Sequence, residues 1–308
     1  MLRYYTWAVV EKALSFTPGG KALYRGVGRL VKRNTQGTGA QLATAFPTAR
    51  KVKEVVAPGG SILDLGTGWF HHDAFLIYLS GEYEVVLFDV EDRARFNYVR
   101  NYLRYLLDNA GWVSSELDVP EDVTRHKLGE LLELPDRRSI YARCNFVPCI
   151  SSNPGDPFLP PQSIDCVVSN CVLVHVRPEL LVLELAALRQ MLKDDGVMYH
   201  HLGHDDHWAF HDSAMQWPSF NYLRYSDRTY RWLFETKLEY HNRLVKPEWA
   251  DVFRQAGLRV LEHTTLVTDE SIESVRNLPS IDRRYASYPV EDLAVIYSWV
   301  LLGKEIPA

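Results

Sequence analysis

The sequence predicts an α/β fold: a doubly wound, mostly parallel sheet of seven strands that is covered by helices on both faces. Seven short apolar segments alternate with helical stretches, which is typical of strands buried on both faces. A glycine turn, "GTG" at 66–68, joins the first strand to a helix, and Asp89 ends the second strand. Ligands of such sheets bind at the carboxyl ends of the strands, so this turn and this aspartate mark the expected site.

The strands are predicted from their apolar content and from the turns that bound them. Gly59 and Gly60 precede the first strand, and the loop "SNPGDPFLPPQ" precedes the fourth. The predicted strands are 62–65, 84–90, 139–146, 163–170, 197–202, 259–267 and 293–303.

The helices are predicted from helical spacing of apolar residues and from end signals. One begins at Pro178 and stops at Gly196, and another carries Phe96, Val99 and Leu103 on one face. The other predicted helices are 4–15, 20–32, 72–80, 120–134, 247–257 and 270–277. This order predicts an N-terminal helical cap at 1–57 and a sheet domain at 58–308, with an aromatic-rich lid insertion at 203–246 after the fifth strand.

Composition narrows the class of protein. The 308 residues carry a formal net charge of −5, so the chain lacks the basic footprint of a nucleic-acid-binding protein. The four cysteines form no C-x-x-C pair, which favours reduced thiols and a cytoplasmic location. No apolar run approaches the roughly 18 residues of a membrane span. The oligomeric state is left open.

The turn after the first strand indicates the ligand. Gly66 and Gly68 allow close approach of a ligand to the backbone, but a dinucleotide fingerprint needs a third glycine where this chain has His71. Asp89 follows Gly66 by 23 positions, and a carboxylate there can accept hydrogen bonds from ribose hydroxyls. The two signals together predict an adenosine ligand without a diphosphate.

The motifs resemble those of the class I S-adenosylmethionine-dependent methyltransferases, whose fold is Rossmann-like. The segment "ILDLGTG" is similar to their first motif, and "FDV" to their acidic second motif. The segments "SIDCVVSNCVLVHV" and "LRQMLKDDGVMYHH" are similar to their fourth strand, the next helix and the fifth strand. The segments "HDDHWAFHD", "FNYLRYSD" and "HNRL" resemble uncharacterised methyltransferase-domain proteins, many from bacterial polysaccharide and natural-product pathways. The resemblance covers roughly 58–202 and the last two strands.

The resemblance implies roles for single residues. Asp64, Gly66 and Gly68 would hold the methionine moiety, Asp64 partly through the ammonium group. Asp89 would hold the ribose, Asn145 would meet the adenine, and the backbone at Ser169 and Asn170 would line the sulfonium. One position departs from the family, because Val174 stands before His175 where relatives often carry Glu.

A histidine- and aspartate-rich segment, "YHHLGHDDHWAFHD" at 199–212, leaves the fifth strand at its carboxyl end. Three interpretations stay open. His207 or His204 could be a general base oriented by Asp205 or Asp206, with His207 preferred. Alternatively, His201, His204 and an aspartate could bind a divalent metal, although no strong metal motif is present. The cluster could also be structural.

We therefore expect methyl transfer from S-adenosylmethionine to a small molecule, with an oxygen of a sugar or natural-product intermediate as the expected acceptor and S-adenosylhomocysteine as the product. The alternatives are cyclisation or aminopropyl transfer with the same cofactor, a non-catalytic binding protein, and a nicotinamide reductase, which His71 disfavours. The residues predicted to contact the substrate are Trp69, His71, His201, Trp208, Tyr222 and Arg224. Aromatic rings with polar edges suit sugars or planar metabolites.

Overall fold

The computed structural model describes residues 2–24, 26, 39–151, 158–211, 217–238 and 240–305. Seven strands form one sheet: β1 (Ser61–Leu65), β2 (Glu84–Asp89), β3 (Phe146–Ile150), β4 (Ile164–Asn170), β5 (Leu192–Gly203), β6 (Leu258–Leu266) and β7 (Tyr297–Lys304). The helices are α1 (Leu2–Phe16), α2 (Gly39–Val55), α3 (His72–Ser80), α4 (Phe96–Asp108), α5 (Ala110–Leu117), α6 (Glu121–Glu133), α7 (Arg137–Cys144), α8 (Pro178–Met191), α9 (Asp227–Leu233), α10 (Lys246–Gln255), α11 (Asp269–Arg276) and α12 (Val290–Leu293). Short 3₁₀ turns occupy Leu173–His175, His207–His211 and Asn221–Arg224.

The strand order across the sheet is β3-β2-β1-β4-β5-β7-β6. Strands β1 to β5 pair in parallel, whereas β7 is antiparallel to both β5 and β6. The chain winds outward from β1 to β3 and then returns to place β4 on the other side of β1. The predicted Rossmann-like, mostly parallel sheet of seven strands is therefore confirmed, and the point where the winding reverses lies between β1 and β4.

Apolar layers cover both faces of the sheet. On one face, α2 to α7 pack against strand residues such as Ile62, Leu87 and Tyr199. On the other face, α8 and α10 pack against Leu63, Met198 and their neighbours. Successive strand residues alternate between these layers, as a pleated strand requires.

The third strand was predicted in the wrong place. Residues 139–144 of the predicted strand belong to helix α7, because the Asp136 side chain caps this helix by accepting the Ser139 N–H at 2.7 Å. Asn145 then adopts a left-handed conformation (φ 55°) and ends the helix. Strand β3 begins at Phe146 and contains Pro148, which an edge strand of the sheet tolerates.

The N-terminal region contributes to two packing units. Helix α2 packs on α3 and belongs to the core beneath the sheet. Helix α1 instead packs against the insertion after β5, where Tyr4 and Ala8 join an aromatic cluster that includes Phe220 and Phe234. The predicted boundaries at 57 and at 203–246 stay predictions. Most of the second predicted helix, 20–32, lies outside the described residues.

Within the described part of the chain, no helix combines the length and apolar character needed to cross a membrane. The predicted cytoplasmic location stays a prediction.

Candidate functional site

A cleft of about 380 Å³ opens at the carboxyl ends of β1, β4 and β5, where the winding of the sheet reverses. Its volume lies within the usual range of small-molecule sites. The cleft is lined by Thr44, Gly66, Thr67, Gly68, Trp69, Phe70, His72, Asp73, Asn170, Cys171, His201 and Tyr297. The glycine turn and the start of the histidine-rich segment, which the sequence analysis singled out separately, therefore meet in one place.

The glycine turn between β1 and α3 has no room for side chains at its first position. Gly66 has φ 72°, and a Cβ there would lie 2.5 Å from Val172 Cγ2. The amides of Gly66 and Thr67 both donate to the Phe88 carbonyl, at 2.8 and 3.1 Å, which holds the turn against the end of β2. Gly68 also has a left-handed φ, 70°, which favours glycine.

Asp89 is fixed at the end of β2 by two backbone amides. The Gly68 N–H donates to Oδ2 at 3.0 Å, and the Glu91 N–H donates to Oδ1 at 3.1 Å. The side chain is buried, and each carboxylate oxygen keeps further lone pairs for a ligand. The geometry is compatible with the predicted ribose contact, which stays a prediction.

Two carboxyl groups lie buried beside the turn with unused oxygens. Asp64 lies on β1 and Asp73 lies in the first turn of α3. Asp64 Oδ2 and Asp73 Oδ1 each lack a hydrogen-bond partner among the described residues. Such buried acceptors are rare in folded proteins and point to a missing donor.

The charges of these groups indicate what the missing donor is. Burial, together with the nearby charge of Asp89, raises the pKa of Asp64 to about 7. Burial and the neighbouring Asp64 raise the pKa of Asp73 well above its ordinary value. Two carboxylates at close quarters favour a cationic ligand, because a positive charge restores both to the ionised form. Sequence reasoning missed Asp73, and the signal that could have found it is an acid in the first turn after a glycine loop.

His71 and Asn145 are among the predicted site residues that lie outside the cleft. His71 is buried with its Nδ1 at 2.7 Å from Thr67 Oγ1 and its Nε2 at 2.5 Å from the Tyr141 hydroxyl. Both ring nitrogens are thus engaged within the protein, and His72 and Asp73 line the cleft instead. Asn145 lies at the amino end of β3, where its carbonyl accepts the Val85 N–H, so it lies at the opposite edge of the sheet. The assignment of Asn145 to adenine depended on the misplaced third strand, and this position does not support it.

The imidazole of His201 is held in one orientation at the end of β5, beside the glycine turn. His201 is buried at the end of β5, and its Nδ1 lies 2.7 Å from Asn170 Oδ1. An amide oxygen can only accept, so Nδ1 carries the proton and Nε2 keeps its lone pair. That Nε2 has no partner among the described residues, and the ring stacks on Trp299 at 4.7 Å. Burial lowers the pKa of His201 to about 3, so the imidazole is neutral at physiological pH.

The neighbouring positions on β4 and β5 face the other side of the sheet. Ser169 is fully buried, and its hydroxyl lies 2.8 Å from His200 Nδ1. Asn170 and Cys171 line the cleft, whereas the Ser169 side chain does not. Along β5, Tyr199 lies in the apolar layer of one face of the sheet and Leu202 in the layer of the other face.

The predicted proton-accepting loop turns away from the cleft. Asp206 is buried and accepts hydrogen bonds from the Tyr4 hydroxyl at 2.8 Å and from the Trp208 amide at 3.0 Å. His204 is also buried, with Nε2 2.5 Å from Ser298 Oγ, and burial lowers its pKa to about 3. The segment after Gly203 therefore packs against α1 and not over the cleft. The sequence pattern could not indicate this contact.

His207 lies at a different cavity. Its ring stacks on His241 at 5.0 Å and meets His175 edge-on at 5.6 Å. The cavity beside it measures about 10 Å³, which is room for about one water molecule. A substrate does not fit there, so the prediction of His207 as the base beside the methyl group conflicts with the structure.

The other residues predicted to contact substrate lie either at the cleft or in the aromatic cluster of the insertion after β5. Trp69 lines the cleft and packs against Tyr98 at 5.9 Å. Trp208 and Tyr222 are buried in the aromatic cluster beneath α1, away from the cleft lining. Arg224 donates to Asn221 Oδ1 at 2.8 Å. The prediction that the last three contact substrate is not supported by these positions, because their side chains pack the insertion.

In the described ranges, no three histidine, cysteine, aspartate or glutamate side chains are placed to hold a metal ion. The hypothetical metal ligands His201 and His204 bond instead to Asn170 and Ser298.

No family model and no curated protein matches the chain. Solved structures with a similar fold include the 1,6-didemethyltoxoflavin-N1-methyltransferase of Burkholderia thailandensis (TM-score 0.48, 12% identity, covering 87% of this chain and 80% of that one). A SAM-dependent methyltransferase from Methanosarcina mazei has a TM-score of 0.44 and 13% identity, covering 83% and 98% of the two chains. The geranyl diphosphate C-methyltransferase of Streptomyces coelicolor has a TM-score of 0.46 and 11% identity, covering 84% and 80%. At these TM-scores the likeness carries no argument about ligand or substrate, so the proposals below depend on the site itself.

Proposed function

We propose that the protein is an S-adenosylmethionine-dependent methyltransferase that acts on a small molecule. The observation that carries the proposal is the pair of unpartnered buried oxygens, Asp64 Oδ2 and Asp73 Oδ1, beside the glycine turn. An α-ammonium group offers three N–H donors and a positive charge, which matches two neighbouring carboxylates. Asp89 would accept from the ribose hydroxyls, and the turn itself leaves no space for a side chain at Gly66.

The cofactor supplies an activated methyl group, so the protein must bind it, align the acceptor and exclude water. The cleft brings Asn170, Cys171 and His201 to the same rim as the turn. His201 Nε2 is a lone-pair acceptor with its tautomer set by Asn170, so it can receive a hydrogen bond from an O–H or N–H group of the acceptor. This supports the finer proposal that the methyl group goes to a hydroxyl-bearing acceptor, a sugar or natural-product intermediate.

The test of the proposal is product analysis with purified protein and S-adenosylmethionine. Methyl transfer yields S-adenosylhomocysteine, whereas aminopropyl transfer yields methylthioadenosine. The proposal predicts tight binding of S-adenosylhomocysteine by calorimetry and its formation when an acceptor mixture is supplied. Methylthioadenosine as the product would replace methyl transfer by the alternative reaction, and failure to bind either compound would remove the assignment.

Cofactor affinity is expected to depend on pH through Asp64. The folded-state pKa of about 7 lies above the ordinary value, so the ligand-free protein binds a proton there as pH falls through 7. A cationic ligand needs the ionised carboxylate, so affinity for S-adenosylmethionine should fall below pH 7, by up to about tenfold per pH unit. For the same reason, protonation of Asp64 raises the free energy of unfolding of the ligand-free protein as the pH falls from 7 to 4. Calorimetry at pH 6, 7 and 8 checks the prediction, which a flat profile would contradict.

Asp89 gives a second test on the ribose side. Asp89→Asn keeps an acceptor for one of the two backbone amides but removes the charge, and we expect cofactor affinity to fall about tenfold. Asp92→Asn is the matched control, because Asp92 lies in the same loop and pairs with Arg137 at 2.7 Å, outside the cleft. Equal affinity of the Asp89 variant and the wild type would remove the ribose assignment.

A further inference from the structure

Helix α1 exposes an apolar face that its packing leaves uncovered. One side of the helix, marked by Tyr4, Ala8 and Glu11, is buried against the insertion. The opposite side carries Val9 and Phe16, which are 62% and 67% exposed, with exposed Ala13 between them at helical spacing. Soluble proteins rarely leave large apolar side chains side by side in water without a partner surface.

An exposed tryptophan extends this face. Trp232 on α9 is 73% exposed. It lies beside α1, because the Lys12 ammonium group donates to the carbonyls of Arg231, at 2.9 Å, and of Trp232. Leu23 is also more than half exposed shortly after α1. We call Val9, Phe16, Leu23 and Trp232 the apolar face.

Exposed cations lie near the apolar face and outnumber the acids there, which are themselves paired. The ammonium group of Lys237 lies 5.2 Å from the centre of the Phe16 ring. Arg228 and Arg231 are exposed on α9, and Lys21 is exposed after α1. Of the neighbouring acids, Asp227 pairs with Arg243 and Arg284, whereas Glu235 pairs with Arg177 and, at 3.8 Å, with Arg231.

The charge pattern excludes two occupants. A second copy of this chain meeting the same face would set cations against cations, since a two-fold interface pairs a patch with itself. The segment 25–38 carries four basic and no acidic residues, so it would repel the patch in the same way. In the whole chain, seven of 34 basic but only one of 39 acidic residues precede position 39. The partner must therefore be apolar and negatively charged.

We propose that the apolar face docks the protein onto an anionic lipid surface. A helix with exposed apolar side chains and a rim of Lys and Arg is suited to lie in the headgroup region without crossing the bilayer. Tryptophan and phenylalanine insert at that depth, and the four exposed cations meet the lipid phosphates. The cleft lies elsewhere on the molecule, so docking is independent of the proposed methyl transfer.

Flotation of the full chain with vesicles tests the proposal. We expect binding to phosphatidylcholine vesicles that contain phosphatidylglycerol and at least tenfold weaker binding to phosphatidylcholine alone. The double variant Val9→Glu with Phe16→Glu should lose binding, and Arg228→Gln should weaken it roughly fivefold. The control is Leu183→Glu, which adds charge at a side chain that is 64% exposed on α8 and should change nothing.

Thermal unfolding followed by circular dichroism shows whether each variant is folded, cofactor affinity is measured in parallel, and light scattering reports self-association. Absence of vesicle binding, or binding that the folded double variant retains, would overturn the proposal. A wild-type dimer that the double variant abolishes would assign the face to a second copy instead. Loss of cofactor binding in every protein, with vesicle binding intact, would count against the proposed function alone.

Discussion

Replacing either Asp64 or Asp73 by asparagine should weaken cofactor binding and stabilise the ligand-free protein. Each substitution keeps the shape of the side chain and removes a charge that a bound ammonium group would pair with. A lost charge-assisted hydrogen bond is worth about 1.5–3 kcal/mol, so each single variant should bind S-adenosylmethionine about ten- to hundredfold more weakly.

The ligand-free protein should meanwhile become more stable in either single variant at pH 8. Burial raises the pKa of both carboxyl groups, with a further rise from the charge of Asp89 at Asp64 and from that of Asp64 at Asp73. The free energy of unfolding therefore falls as pH rises from the ordinary pKa of each group to its folded pKa. Thermal unfolding at pH 8 and at pH 5 measures this, because the gain should shrink at the lower pH. A variant that loses both affinity and stability would indicate that the two carboxylates hold the fold together rather than a ligand.

Removing the acceptor at His201 should slow methyl transfer roughly hundredfold. His201→Phe keeps an aromatic ring to stack on Trp299 but removes Nε2, the lone pair that would orient the hydroxyl of the substrate. Misplacing a nucleophile by about 1 Å can cost about 10²-fold. Because the imidazole is neutral, we expect the loss at every pH between 6 and 8 and no titration limb from this residue.

The matched comparison is His207→Ala, which should retain cofactor affinity and turnover within about twofold. His207 borders a separate cavity that fits about one water molecule, and it is not among the described residues that line the cleft. If His207 were the general base of the sequence-based prediction, its loss would cost about 10²–10⁴-fold. A large loss for His207→Ala together with normal turnover for His201→Phe would reverse the assignment.

Local patterns in the sequence were enough to predict the sheet. Apolar strand segments, the glycine turn and the spacing to Asp89 are short-range features, and apart from the third strand they lie where they were predicted. The error at the third strand arose because "SIYARCNF" is apolar enough for a strand, while the cap at Asp136 makes most of it a helix.

The site was harder to predict, because tertiary packing decides which side chains meet. Asp73 enters the cleft through the first turn of α3, and only the structure shows that its oxygen is unpartnered beside Asp64. The segment after Gly203 was expected over the cleft, but the hydrogen bond from Tyr4 to Asp206 ties it to α1, more than 200 residues away in sequence. No periodicity encodes such a contact.

The most direct test of the central claim is a crystal structure of the protein with S-adenosylhomocysteine. The account predicts the amino group within hydrogen-bond distance, about 3 Å, of both Asp64 Oδ2 and Asp73 Oδ1, with the ribose hydroxyls on Asp89. An amino group held by neither aspartate, or an adenosyl group bound away from the Gly66–Gly68 turn, would contradict it.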